Sequence, residues 1–297
     1  MRCVQRFLVV TVSILAFTCS CISAEGNEGE DKFVLKVMTI NVRHNSDFWE
    51  ERFPLLADEI VRLRPDIIGL QEVEIGVKQS KVLRNLIKEK SAEAGKPLKY
   101  FKYEHLKTGS DMMSGEGIAI FSRYPILKKG FTDLKNGRPV LFSRVGISKS
   151  LIVDMYNTHL HHRGGDEEVR LPQAEIMTAF IESHDAGYIT FLTGDMNSQP
   201  GSKTIAHLKN FGFTDSFIAT PEDARSKNEN TAPVYMSKTP VPQKQISRID
   251  YVFVKPAEGG PAIHPVASEV CFLNHAENGL YPSDHLGVMT TFELSFD

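Results

Sequence analysis

The chain has 297 residues, 41% of them hydrophobic and 24% charged, with a formal net charge of −3. This excludes a fibrous or disordered polypeptide and leaves a globular protein with a substantial core, in one large domain or two small ones. The slightly acidic balance also excludes the bulk positive field that drives non-specific nucleic-acid binding.

Arg2 and Arg6 precede an apolar stretch from Phe7 to Phe17; small and polar residues follow to Ala24, then Glu25, Glu28, Glu30 and Asp31. A positive region, an apolar region of roughly 7–15 residues and a small residue at the cut have the form of a secretory signal. Residues 1–24 are therefore expected to be removed, leaving a secreted, periplasmic or extracellular protein. The alternative is a membrane anchor, uncleaved or lipidated at Cys19 or Cys21, though spanning a bilayer takes about 20 apolar residues. Loss of Arg2 and Arg6 takes the formal charge from −3 to −5. Only Cys271 of the four cysteines lies beyond the signal, so no internal disulfide is expected in the mature chain.

Residues 25–32 read as a flexible acidic lead-in. A strand is predicted from Phe33 to Asn41, with Val34, Leu35, Val37, Met38 and Ile40 as buried bulk. Phe53, Leu56, Ala57, Ile60 and Val61 recur at helical spacing, predicting a helix over 52–63 that Pro65 ends. A short strand over 67–70 delivers Gln71-Glu72, and a second helix covers 77–93. Further strands are predicted at 117–122, 151–159, 188–194, 249–254 and 288–294, with a helix at 167–183. The stretch Pro221–Gln245, rich in Pro, Ser, Lys and Asn, reads as a long surface loop.

Most of the buried runs end in short polar clusters. In order these are Thr39-Ile40-Asn41-Val42-Arg43, Gln71-Glu72, Asn157-Thr158-His159, Gly194-Asp195-Met196-Asn197, Arg248-Ile249-Asp250-Tyr251 and Ser283-Asp284-His285. Carboxylates, amides and imidazoles at strand ends hold a hard cation and move protons, which points to a metal-assisted hydrolase. His161-His162 lacks a third ligand at regular spacing and does not read as a zinc site. Arg170 and Gln173 are expected to anchor the helix that carries them.

Together these motifs resemble the endonuclease/exonuclease/phosphatase superfamily over Phe33 to Phe296. The resemblance implies one domain over residues 33–297, an α/β four-layer sandwich of two mixed β-sheets packed face to face with outer helices. It implies Glu72 as the principal Mg²⁺ ligand (Mn²⁺ and Ca²⁺ being alternatives), with Asn41 holding Glu72 or touching the metal, and Asp284 as a second metal contact. It makes His285 the general base, aimed by Asp250, and puts Asp195 and Asn197 beside the scissile phosphate. Asp195 is left open between ligand, water-orienting group and base. His159 is expected across the phosphate from His285, oriented by Glu116 as in pancreatic-type deoxyribonuclease, and Arg43 is expected to contact a phosphate. The implied function is a secreted, nuclease-like phosphodiesterase acting on nucleic acid, phospholipid or a small phosphodiester. It is expected to be a monomer without an obligate protein partner. The alternatives are a sphingomyelinase-like or inositol-phosphate-type phosphoesterase and, in a different class, a non-catalytic binding protein on the same scaffold.

Overall fold

Side-chain alternation along the buried strands sorts the core into three layers. In Lys32–Asn41 (β1), Leu35 and Val37 join one buried cluster while Met38 and Ile40 join another. Ile189–Asp195 (β8) divides the same way, Phe191 into the first cluster and Leu192 into a third. The first cluster lies between two six-stranded sheets, and each of the others lies under helices on a sheet's outer face.

The computed structural model describes residues 32–107, 115–163 and 165–296. After β1 come Trp49–Leu63 (α1), Ile67–Glu74 (β2), Gln79–Glu93 (α2), Phe101–Leu106 (β3), Glu116–Ser122 (β4), Ile126–Asp133 (β5), Pro139–Gly146 (β6) and Ile152–His159 (β7). Glu167–Glu182 (α3), β8, Lys203–Asn210 (α4), Thr214–Asp215 (β9), Ser216–Ala219 (α5), Asp250–Lys255 (β10), Ala262–Cys271 (β11) and Gly287–Ser295 (β12) follow. One sheet runs β11-β12-β1-β2-β4-β3 and the other β5-β6-β7-β8-β10-β9. Each contains one parallel pair, β1–β2 and β7–β8, among antiparallel neighbours. Helices α1 and α2 pack on the first sheet and α3 and α4 on the second, which makes the four-layer α/β sandwich.

The structure adds elements that the sequence reading left out: β3, β5, β6, β9, β11, α4 and α5. Strands β3 and β5 are sheet edges with little burial, so their residues carry no continuous apolar run. Strand β11 contains Pro265 and a bulge beside it, tolerable at an edge. The stretch expected as a surface loop also differs. Thr231, Ala232 and Val234 are buried, Ala232 bridges to Ser247, and Thr231 O and Val234 N–H bond to Leu286 N–H and Asp284 O at 2.8 and 2.6 Å. This loop braces the segment carrying His285. The stretch 1–24, expected as a secretory signal, lies outside the described residues, as does all of the expected lead-in but Lys32, the first residue of β1. Among the described residues no helix is long and apolar enough to cross a membrane. Cys271 is buried and free.

Candidate active site

The face of each strand that fills the inter-sheet core continues, at one end of the sandwich, into polar residues. On β1 the series Leu35, Val37, Thr39 ends in Asn41; on β7 Val153, Met155, Asn157 ends in His159; on β8 Phe191, Thr193 ends in Asp195; on β10 Val254, Val252 leads back to Asp250. Strand pairing brings these ends level. Asn41 lies beside Gln71, His159 beside Asp195, and Asp195 opposite Asp250. One rung of the two sheets thus carries most of the candidate chemistry.

Glu72 reaches that rung by a break in alternation. Leu70 and Val73 both face the helices, so the chain between them has one residue too many for a regular strand. The register against β4 slips there, and Glu72 takes the left-handed conformation at φ 53°. Gln71 and Glu72 are both left off the helix side. Such a backbone is unfavourable for a carboxylate residue and persists only where its surroundings hold it. Val42 N–H and His44 N–H do so, bonding to the carbonyls of Gln71 and Glu72 at 2.9 and 2.8 Å.

The Asn41 amide joins the two halves. Its Nδ2 donates to Glu72 Oε1 at 3.1 Å and to Asp195 Oδ2 at 3.2 Å, while its Oδ1 accepts from Arg43 N–H at 2.9 Å. Both histidines approach the same Asp195 oxygen, His159 Nε2 at 3.4 Å and His285 Nε2 at 3.9 Å. Behind His285, Nδ1 bonds Asp250 Oδ2 at 2.9 Å. Asn197, also left-handed, donates its N–H to Asp195 Oδ1 at 3.0 Å and its side-chain amide to Leu160 O at 3.2 Å.

Electrostatics separate the two imidazoles. Burial opposes charge on His285, but the carboxylates of Asp250 and Asp195 outweigh it and raise its pKa well above the ordinary value. Burial, then the charges of Arg138, Lys107 and His285, push His159 well below the ordinary value, so it is neutral near pH 7. Burial and the neighbouring Asp250 raise Asp195 above the usual carboxylate range, against the opposing pull of His285. Asp195 and His285 thus each favour the other's charged form across 3.9 Å.

The donor set fits a hard divalent cation. Ligand atoms of Glu72, Glu116 and His159 lie within 4.8 Å of one another, as do those of Asp195, Asp250 and His285. The second group crowds two carboxylates, and Asp250 Oδ1 is buried without a hydrogen-bond partner. Asp284 stands outside both groups, with Oδ2 paired to Arg43, which also holds Asp47. Asp284, expected as a second metal contact, is thus engaged by Arg43. Asn41 Oδ1 accepts from Arg43 N–H while its Nδ2 holds Glu72, one of its two expected roles being a contact to the metal itself. Glu116 also differs: its Oε1 is 3.9 Å from His159 Nδ1, too far for a hydrogen bond, and it pairs with Lys107 instead. Arg170 and Gln173 bind backbone and Ser198, as expected of helix anchors.

Sequence reasoning missed Lys107 and Arg138, and set His162 aside as part of a histidine pair that is not a zinc site. Arg138 donates to His162 Nδ1 at 3.0 Å, and the charges of Lys107 and Arg138 act on His159. They come from the end of β3, the β5–β6 turn and the loop after β7, where no motif marks them. Arg52 was missed too. Fully buried at the start of α1, its guanidinium donates to six backbone carbonyls of residues 42–47 and 282.

A two-sheet sandwich with carboxylates, an amide and two histidines on one rung, fit for a divalent cation, defines a metal-dependent hydrolase of phosphate ester bonds. The model of the Endonuclease/Exonuclease/phosphatase family matches residues 38–285, and the chain belongs to that family. It is 24% identical to Nocturnin of Xenopus laevis over 291 residues, covering 91% of this chain and 70% of that protein. Among solved structures, a mannosyl-6-phosphatase of Bacteroides thetaiotaomicron matches 88% of this chain and all of its own, with TM-score 0.69 and 22% identity. TDP2 of D. rerio complexed with single-strand DNA product matches 87% of this chain and 98% of its own, with TM-score 0.67 and 21% identity. At those identities the likeness establishes the fold.

Proposed function

We propose that the protein is a secreted, Mg²⁺-dependent phosphodiester hydrolase, with nucleic acid as the leading substrate class. The observation that carries this is the Asn41 amide, which ties Glu72 of one sheet to Asp195 of the other, beside His285. A cation held at Glu72, Mn²⁺ and Ca²⁺ being alternatives to Mg²⁺, supplies charge neutralisation at the phosphate oxygens. Water attacks phosphorus in line, its proton passing to the Asp195–His285 pair with Asp250 fixing the imidazole. The ester oxygen departs opposite and takes up a proton, as a 3′-hydroxyl in a nucleic acid. Asn197 holds Asp195, and Arg43, released from Asp284 and Asp47, pairs with a phosphate oxygen. Neutral His159 keeps Nε2 3.4 Å from Asp195 Oδ2, beside the attacked phosphate.

The test is Mg²⁺-dependent release from plasmid DNA, RNA, sphingomyelin, bis-nitrophenyl phosphate and mannose 6-phosphate. Glu72→Gln and His285→Ala should each lose at least 10²-fold in rate; full activity in both refutes the assignment. A second reading, a sphingomyelinase-like, inositol-phosphate-type or other phosphomonoesterase, draws on the acidic net charge and the fold shared with a mannosyl-6-phosphatase. Preference for a lipid headgroup or sugar phosphate over DNA decides for it. Undetectable turnover with intact metal binding would favour a non-catalytic scaffold.

A further inference from the structure

One layer below the site, the inter-sheet core turns polar. Thr39, Gln71, Asn157 and Thr193 are all fully buried, two from each sheet. Gln71 Nε2 donates to Thr39 Oγ1 at 3.0 Å and across the sheets to Asn157 Oδ1 at 2.7 Å. Thr193 Oγ1 donates to the same Asn157 oxygen at 3.1 Å. The Asn157 amide nitrogen donates to Leu70 O at 2.9 Å and Ala119 O at 3.0 Å, both on the opposite sheet. All four hydrogen-bonding positions of this amide are used.

Those two carbonyls belong to Leu70 and Ala119, the last regular pair before the β2–β4 register slips. Asn157 therefore grips the strand where Glu72 turns into its left-handed conformation. Gly69 fits the same contact, since a Cβ there would meet Thr193 Oγ1 at 2.0 Å and Asn157 Oδ1 at 2.6 Å. Asn157 also stands two residues before His159 on one face of β7, and Thr193 two before Asp195 on β8. A polar side chain in a dry core is costly unless every group is bonded, and apolar residues would pack the same space. What the polar layer adds is register between the sheets.

We propose that Asn157 is a positioning residue for the metal carboxylate: it holds the β2 bulge so that Glu72 stands at a set distance from His159 and Asp195. The proposal rests on the reading of Glu72 as the metal-binding group, and the experiment separates the two. Mn²⁺ alone is titrated into the full protein and followed by electron paramagnetic resonance, with kinetics on bis-nitrophenyl phosphate and thermal melts alongside. Asn157→Leu, which keeps the branching and heavy-atom count and removes the amide's hydrogen bonds, should weaken Mn²⁺ binding about 10–100-fold. At saturating metal kcat should fall while KM changes less than about twofold. In a Glu72→Gln background the same substitution should change Mn²⁺ affinity less than about twofold, because the group it positions is gone.

Unchanged Mn²⁺ affinity in Asn157→Leu, or an equal loss in both backgrounds, overturns the proposal. Wild-type Mn²⁺ affinity in Glu72→Gln alone overturns the underlying reading instead. Should Asn157→Leu fail to fold, Thr193→Val serves, since it removes one hydrogen bond to Asn157 at constant shape. About a fivefold loss of Mn²⁺ affinity is then expected, and no loss overturns the proposal.

Discussion

Replacing Arg52 by methionine tests the idea that one buried guanidinium organises the loop after β1 and its neighbour at Pro282. Among the described residues Arg52 makes no ion pair; its six hydrogen bonds, from 2.7 to 3.3 Å, all run to backbone carbonyls, those of residues 42, 43, 44, 46, 47 and 282. Burial pulls its pKa down to about 10, so it remains charged at neutral pH. Methionine fills much of the stem's volume and removes every donor. The bonds to Val42 O and Pro282 O are buried, and an unsatisfied buried acceptor costs about 1–3 kcal/mol. The other four lie in a partly exposed loop where water replaces the donor, at roughly 0.5 kcal/mol each or less. The expected loss is about 2–8 kcal/mol, a large part of an ordinary domain's stability, with a melting temperature lower by roughly 5–20 °C. Lysine should recover only a minor part, because an ammonium has three donors and no planar fork. Urea denaturation gives the magnitude, and amide exchange at residues 42–47 locates it. A loss under about 1 kcal/mol with unchanged exchange in that loop would refute the reasoning.

Gly69→Ala puts a Cβ 2.0 Å from Thr193 Oγ1. It should destabilise the fold by about 1–3 kcal/mol or more and cut activity, and a neutral melt would contradict the close approach described. Glu59 offers a pH dependence: burial would raise its carboxyl, but hydrogen bonds from Arg62 and from Phe272 N–H outweigh burial and hold it below the ordinary value. Its contribution is present above the unfolded value of about 4.3 and is lost as pH falls through the lower folded value. Wild type should therefore exceed Glu59→Gln in stability at pH 7 and converge with it in acid; a gap independent of pH would exclude this. Arg43→Ala should raise KM for phosphodiesters more than it lowers kcat, and Asp284→Ala, which frees Arg43 from one partner, should not. Steady-state kinetics separate the two, and equal effects would argue that the ion pair is structural.

The strands most legible in the sequence are buried on both faces, though β6, buried likewise, was missed because Pro139, Ser143 and Arg144 interrupt its apolar run. In β1, β7, β8 and β10 nearly every residue is apolar until the motif begins, so Asn41, His159, Asp195 and Asp250 stand out at the ends. The edge strands β3 and β5, half-buried at most, leave no such trace, and with them went Lys107 and Arg138. That six clusters belong together follows from their types and order, since few arrangements other than a metal-assisted hydrolase site use carboxylates, amides and imidazoles in this way. How they meet was decided elsewhere. Strand register sets Asp195 opposite Asp250, and one extra residue in β2 turns Glu72 toward the site. Arg43, free to reach substrate in the sequence, pairs with Asp47 four residues on, and with Asp284 only because distant loops close on one another. A sequence records which groups are available and the period of the strand that carries them. Distances between groups on different strands depend on pairing and on the backbone turn at single residues, and those arise only when two sheets pack face to face.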